Sequence, residues 1–150
     1  MSNDLSQLLH LLAEPRTPHT TEELWCRVAS IGWNECLPTL LAELESGDPD
    51  VRRLVLNLIA EHGEQAGAGS VQSLQPNIIN ALDDPDRLVR QEAIQTIESL
   101  AWSDDAMEQL RRIVLRDDLP IAAKALQVLI AFNADEFEKI RTSLRASWPQ

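Results

Sequence analysis

The chain repeats itself, and no other feature of its sequence constrains the fold as tightly. Residues 37–59 read LPTLLAELESGDPDVRRLVLNLI, and residues 74–97 read LQPNIINALDDPDRLVRQEAIQTI. Each carries an apolar helical run, an Asp-Pro-Asp motif (Asp48-Pro49-Asp50 and Asp84-Pro85-Asp86) and a Val-Arg pair that opens a second apolar run. The proline motifs stand 36 residues apart, and the pairs Val51-Arg52 and Val89-Arg90 stand 38 apart. A third copy, LRRIVLRDDLPIAAKALQVLI over 110–130, places Ile121 32 residues after Val89. A period of this size predicts helical hairpins that bury their apolar faces only against their neighbours.

Apolar spacing along the rest of the chain predicts nine helices and no strand. Residues 4–13 form a short amphipathic helix with Leu5, Leu8, Leu9 and Leu12 on one face. A connector with Pro15, Thr17 and Pro18 follows, and Thr20 or Thr21 caps the next helix, with Glu23 as the capping-box partner of Thr20. That helix runs to Ile31 and stops at Gly32, so 4–32 reads as a degenerate first hairpin without the proline motif. Further hairpins are expected at 34–62, 71–102 and 104–133, with a capping helix at 135–146. Pro49 cannot continue an incoming helix and pre-sets φ for an outgoing one. Residues 63–70 hold three of the five glycines and read as the longest flexible loop, a mobile or nicked site. The expectation is an all-α chain folded as one domain over 1–150, with four hairpins and a C-terminal capping helix.

Composition narrows the partners. There are 13 basic and 24 acidic residues, a formal net charge of -11. Residues 1–75 carry 4 basic against 11 acidic groups and residues 76–150 carry 9 against 13, so both halves are negative. Such a surface repels phosphate backbones and anionic membranes and favours a basic protein partner, while also serving solubility. Cys26 and Cys36 lie on successive predicted helices without CxxC spacing and read as buried thiols in a reducing compartment. The amino terminus has no basic n-region, and no apolar run approaches membrane-spanning length, so a soluble cytoplasmic protein is expected. His10, His19 and His62 are scattered without metal-ligand spacing. The glycines form neither a P-loop nor a dinucleotide fingerprint, and no serine sits in a nucleophile elbow. The pairs Asp83-Asp84, Asp104-Asp105 and Asp117-Asp118 fall at helix ends, where helix dipoles and turns account for them. No metal, cofactor or catalytic constellation is expected.

The Asp-Pro-Asp motif followed by Val51-Arg52 and Val89-Arg90, with alanine or small aliphatics on the second helix, resembles the HEAT-repeat family. It is similar in particular to the short bacterial HEAT-like units also found in phycobilisome lyase-type proteins. The resemblance covers 37–133 well and the first pair weakly. The fourth hairpin departs from it, with Ala122 where an arginine stands in the others. The resemblance implies a right-handed α–α superhelix. It also implies a ladder of turn aspartates and helix arginines between adjacent repeats, which makes Asp48, Asp84, Arg52 and Arg90 structural. By the same resemblance the second helices line the concave surface.

On a wheel of about 100° per residue, Val51, Leu54, Val55, Leu58 and Ile59 share one arc, which Leu56 widens, and Arg53, Asn57 and Ala60 point away from it. The corresponding positions are Gln91, Gln95 and Glu98 in the next copy and Ala123, Gln127 and Ile130 in the third. An amide thus recurs at the central position (Asn57, Gln95, Gln127), offering donors and acceptors with no charge to desolvate. Helix exteriors are polar in any case, so solvation alone is the competing explanation. Of the four tryptophans, Trp25 reads as core, Trp33 as cover for an inter-repeat seam and Trp102 as a rim of the groove. The expected function is non-catalytic protein binding on the concave face through Arg53, Asn57, Gln91, Gln95, Glu98, Trp102 and Gln127. An immunity or antitoxin-type protein covering a basic toxin is its concrete form. The alternatives are a HEAT-like bilin lyase or chaperone-type enzyme and a structural repeat unit, and the expected state is a monomer or weak dimer. A HEAT-like DNA glycosylase requires a basic groove and is disfavoured.

Overall fold

The structure, a computed structural model, describes residues 2–13, 20–45, 47–100, 103–132 and 141–146. Its helices are α1 (Ser2–Ala13), α2 (Thr20–Ile31), α3 (Trp33–Leu44), α4 (Pro49–His62), a 3-10 helix (Gly63–Ala66), α5 (Ala68–Ala81), α6 (Arg87–Ser99), α7 (Asp104–Arg116) and α8 (Leu119–Phe132). Residues 141–146 are also helical, and there is no strand among the described residues. The remainder of the expected capping helix, and Trp102, lie outside the described residues.

Aspartate caps set the starts of α4, α6 and α8, the second helices of the three later hairpins. The Asp48 carboxylate accepts from the Asp50 N–H at 2.9 Å, Asp86 from Leu88 and Val89 at 2.9 and 3.1 Å, and Asp118 from Ile121 at 3.3 Å. Each satisfies an N–H that has no partner within its own helix. Val51, Val89 and Ile121 each stand three residues after their cap, which explains the 38- and 32-residue spacings. The two Asp-Pro-Asp motifs therefore do different jobs. In the first, Asp48 is the cap and Pro49 the first helical residue; in the second, Asp86 is the cap and Asp84-Pro85 belongs to the preceding turn.

The chain divides into two compact units, Met1–Leu100 and Ala101–Gln150. In the first, α1, α3 and α5 pack in succession, and so do α2, α4 and α6. The first helices of the second and third hairpins bury matching positions 38 residues apart: Cys36 and Leu74, Leu40 and Ile78, Leu44 and Leu82. Pro38 and Pro76 keep the same spacing on the exposed side of α3 and α5, where each removes one backbone donor inside its helix. The centre of this unit is α4, which packs on α1, α2, α3 and α6. Its Val51, Leu54, Val55, Leu56, Leu58 and Ile59 are all completely buried. In the second unit α7 and α8 form a hairpin, joining Leu110 and Ile113 to a core with Ile121, Ala125, Val128 and Leu129.

Several expectations need correction. The expected capping by Thr20 or Thr21 falls on side chains outside the described residues. Residues 63–70 are not a loop but a 3-10 helix running into the start of α5, because only Gly67 (φ 93°) requires a conformation that breaks the helix. The second helix of the third hairpin ends at Ser99, with Leu100 extended (φ -119°, ψ 164°), instead of continuing to Trp102. Cys36 is buried as expected, but Cys26 is exposed. Burial pushes the Cys36 thiol pKa up, and the neighbouring Glu35 charge adds in the same direction.

Gly32 joins α2 to α3 with φ 109° and ψ 131°, a combination open to glycine almost alone. A Cβ there would meet no neighbour within 4 Å, so any cost of substitution comes from the backbone. Gly32→Ala should therefore lower the unfolding free energy by about 2 kcal/mol, read as a lower urea midpoint at unchanged slope. A midpoint equal to wild type would show that the junction relaxes without strain.

Candidate functional site

Two contacts, one from α4 to the turn before α6 and one from α4 to α6 itself, fix the face under consideration. The Arg52 guanidinium donates to both oxygens of Asp84, Nε at 2.8 Å and a terminal nitrogen at 2.9 Å, with 12% and 10% of the two side chains exposed. Asp84 also accepts from the Asp86 N–H at 2.9 Å. Farther along, the buried Thr96 hydroxyl lies 3.0 Å from the Leu56 carbonyl oxygen and 2.8 Å from that of Glu92. Contact 52–84 near the start and 56–96 farther on means that α4 and α6 run in the same direction. The expected ladder is thus present at Arg52, and Arg90 donates to, among other partners, the carbonyls of Asp84 (2.9 Å) and Pro85 (3.3 Å) in its own hairpin.

With α6 pinned on one flank of α4, the wheel positions can be compared with burial. Gln91, Gln95 and Glu98 of α6 are all exposed. On α4, Arg53, Asn57 and Ala60 are half-buried, because that helix has neighbours on more sides. Arg53 reaches back to Asp50 at 3.4 Å, and its Nε is buried without a hydrogen-bond partner. Leu56 and Thr96 touch, so Asn57 and Gln95 flank that contact on adjacent helices. In the second unit the corresponding face of α8 exposes Ala123, Gln127 and Ile130.

Sequence reasoning missed three features. Trp25 of α2 is half-buried and stacks flat on His62 of α4, with ring centroids 4.6 Å apart and 4° between planes. Trp33, at 6.0 Å from Trp25, is buried at the α2–α3 junction. Nothing in the local sequence links Trp25 to His62, which stand on different hairpins. Second, an open groove of about 670 Å³ runs between α1 and α2, lined by Leu8, Leu11, Cys26 and Arg27 among others. Third, charge divides at the boundary between the compact units. Residues 1–100 hold 6 basic and 16 acidic side chains, net -10, and residues 101–150 hold 7 and 8, net -1. Counting to the boundary at residue 100, rather than to the midpoint of the chain, would have found it. Among the described residues no three His, Cys, Asp or Glu side chains come together in a way that could hold a metal ion. No helix among them is long and apolar enough to cross a membrane.

Comparison with known proteins gives one match: the family model for HEAT repeats, over residues 37–141, well over half of the chain. No curated protein and no solved structure matches.

Proposed function

The chain belongs to the HEAT-repeat family, whose repeats generally mediate protein–protein interaction, and from that premise we propose that it is a non-catalytic docking module. The partner is received on the outer face of the second helices. The observation that carries this reading is the exposed row Gln91, Gln95 and Glu98 on α6, set beside Arg53 and Asn57 on α4 by the Arg52–Asp84 and Thr96–Leu56 contacts. Gln127 offers the same amide on the second unit, and Trp102 is assigned to the rim. Amides suit a protein surface, since they give and accept hydrogen bonds without the cost of burying a charge. The net charge of -10 on the first unit supports a basic partner, and an acidic cover for a basic toxin is the form that size and charge favour. Two free thiols, one of them buried, support a reducing cytoplasmic setting.

The test uses Gln91→Arg with Gln95→Arg, which adds bulk and positive charge at exposed positions. A photo-crosslinker at position 88, beside the row, is expected to trap a defined partner in cell extract. The double variant should abolish that product while its melting temperature stays within a few degrees of wild type. Undiminished crosslinking by a folded double variant would remove the α4–α6 face from consideration.

A further inference from the structure

We propose that the groove between α1 and α2 receives a second copy of this chain, so that two copies pair weakly about a two-fold axis near Cys26. The inference is independent of the docking row on α6. The groove, of about 670 Å³, is lined chiefly by Leu8 and Leu11 of α1 and by Glu23, Cys26, Arg27 and Ser30 of α2. On a wheel of about 100° per residue these four α2 positions fall roughly 100–200° from Trp25, which stacks on His62 of α4. The groove therefore opens on the side of α2 turned away from α4. Apolar surface remains uncovered there, since Leu11 is 73% exposed.

Charge decides what fits the groove. Glu23 and Arg27 are exposed and stand in the order and spacing that favour an ion pair along one helix. Neither side chain has a hydrogen-bond or ion-pair partner among the described residues. One face thus presents an open anion and an open cation about one helical turn apart. Two copies of that face, laid antiparallel, set Glu23 of each against Arg27 of the other and match both charges at once. The same arrangement brings Leu11 of each copy onto the other's groove and covers its apolar surface. The approach is also the least repulsive that the first unit offers. Residues 1–32 hold 2 basic and 4 acidic side chains, net -2, whereas residues 33–100 hold 4 and 12, net -8. A screening length of about 8 Å at 0.15 M salt damps repulsion between the acidic remainders more than it damps contacts across the groove. Helix faces about 18 Å long cover less than a standard interface, so the pairing is weak.

Sedimentation velocity of the full chain at about 0.15 M salt, from roughly 20 µM to about 0.5 mM protein, is expected to show the mass rising from one chain toward two. Glu23→Arg and Arg27→Glu should each weaken association roughly fivefold to twentyfold, because both contacts across the axis become like-charged. The general field acts in the opposite sense on Glu23→Arg, which makes each chain less acidic. Glu23→Arg combined with Arg27→Glu restores opposite charges across the axis and should return association to within about threefold of wild type. Leu11→Ala should weaken pairing at an unchanged melting temperature. A short bis-maleimide should join the Cys26 thiols of two wild-type copies, Cys36 being buried, and Glu23→Arg should lose that product. A chain that stays single at about 0.5 mM overturns the proposal. So does a dimer that the single charge changes leave intact, or that the double exchange fails to restore, since it is then held elsewhere. If a charge change unfolds the chain, Leu11→Ala and the cross-link decide: undiminished pairing in the first, or no Cys26 product in wild type, overturns the proposal.

Discussion

Arg52→Ala is expected to lower the unfolding free energy by about 3 kcal/mol, the range for breaking a mostly desolvated ion pair by removing one partner. The guanidinium makes two hydrogen bonds of 2.8 and 2.9 Å to Asp84, and both side chains are nearly buried. Its loss leaves the Asp84 carboxylate out of water, with the Asp86 N–H as a remaining donor. Asp84→Ala should cost a similar amount. The double variant should cost much less than the two single changes together, because neither charge is then stranded. Arg90→Ala removes, among its contacts, hydrogen bonds to two carbonyl oxygens and should cost at least about 1 kcal/mol. Urea denaturation of the four variants decides the matter. An absence of coupling between Arg52 and Asp84 would show that these two hairpins are held by apolar packing alone.

The repeat was legible because its register follows the caps. Val51, Val89 and Ile121 lie at one position of three equivalent helices, and reading outward from them gives the exposed faces of α6 and α8. The Asp-Pro-Asp motif was less reliable. Aspartate and proline are favoured both at a cap and in the turn before it, so local preference cannot tell the two placements apart. The Arg52–Asp84 pair then follows from a two-residue displacement that the motif spacing of 36, against 38 for the valines, already contained. Glycine count misled at 63–70, since Gly63 and Gly69 take helical geometry and Gly67 alone breaks it. The half-burial of Arg53 and Asn57 was not legible from a wheel, which treats every helix as having the same neighbours. Which helix sits at the centre is a tertiary fact, and here it is α4.

That centrality makes Leu58→Ala the most damaging core substitution to be expected in the first unit, at about 4 kcal/mol. Leu58 is completely buried on a helix that packs against α1, α2, α3 and α6. Truncation removes the transfer energy of the lost methyl groups and leaves a cavity. Neighbours on several sides cannot all close on that cavity without breaking their own register. The capped start of α4 and the Arg52–Asp84 pair also hold the helix along its axis, which limits relaxation by sliding. Leu11→Ala is the control: its side chain is 73% exposed, so the change should stay within about 0.5 kcal/mol. Both variants would be compared with wild type by urea denaturation, with the slope checked for a change in the denatured state. A cost below about 1 kcal/mol for Leu58→Ala would mean that the surrounding helices collapse onto the space. The packing of α4 would then be plastic rather than the fixed frame that positions Arg53, Asn57 and the row on α6.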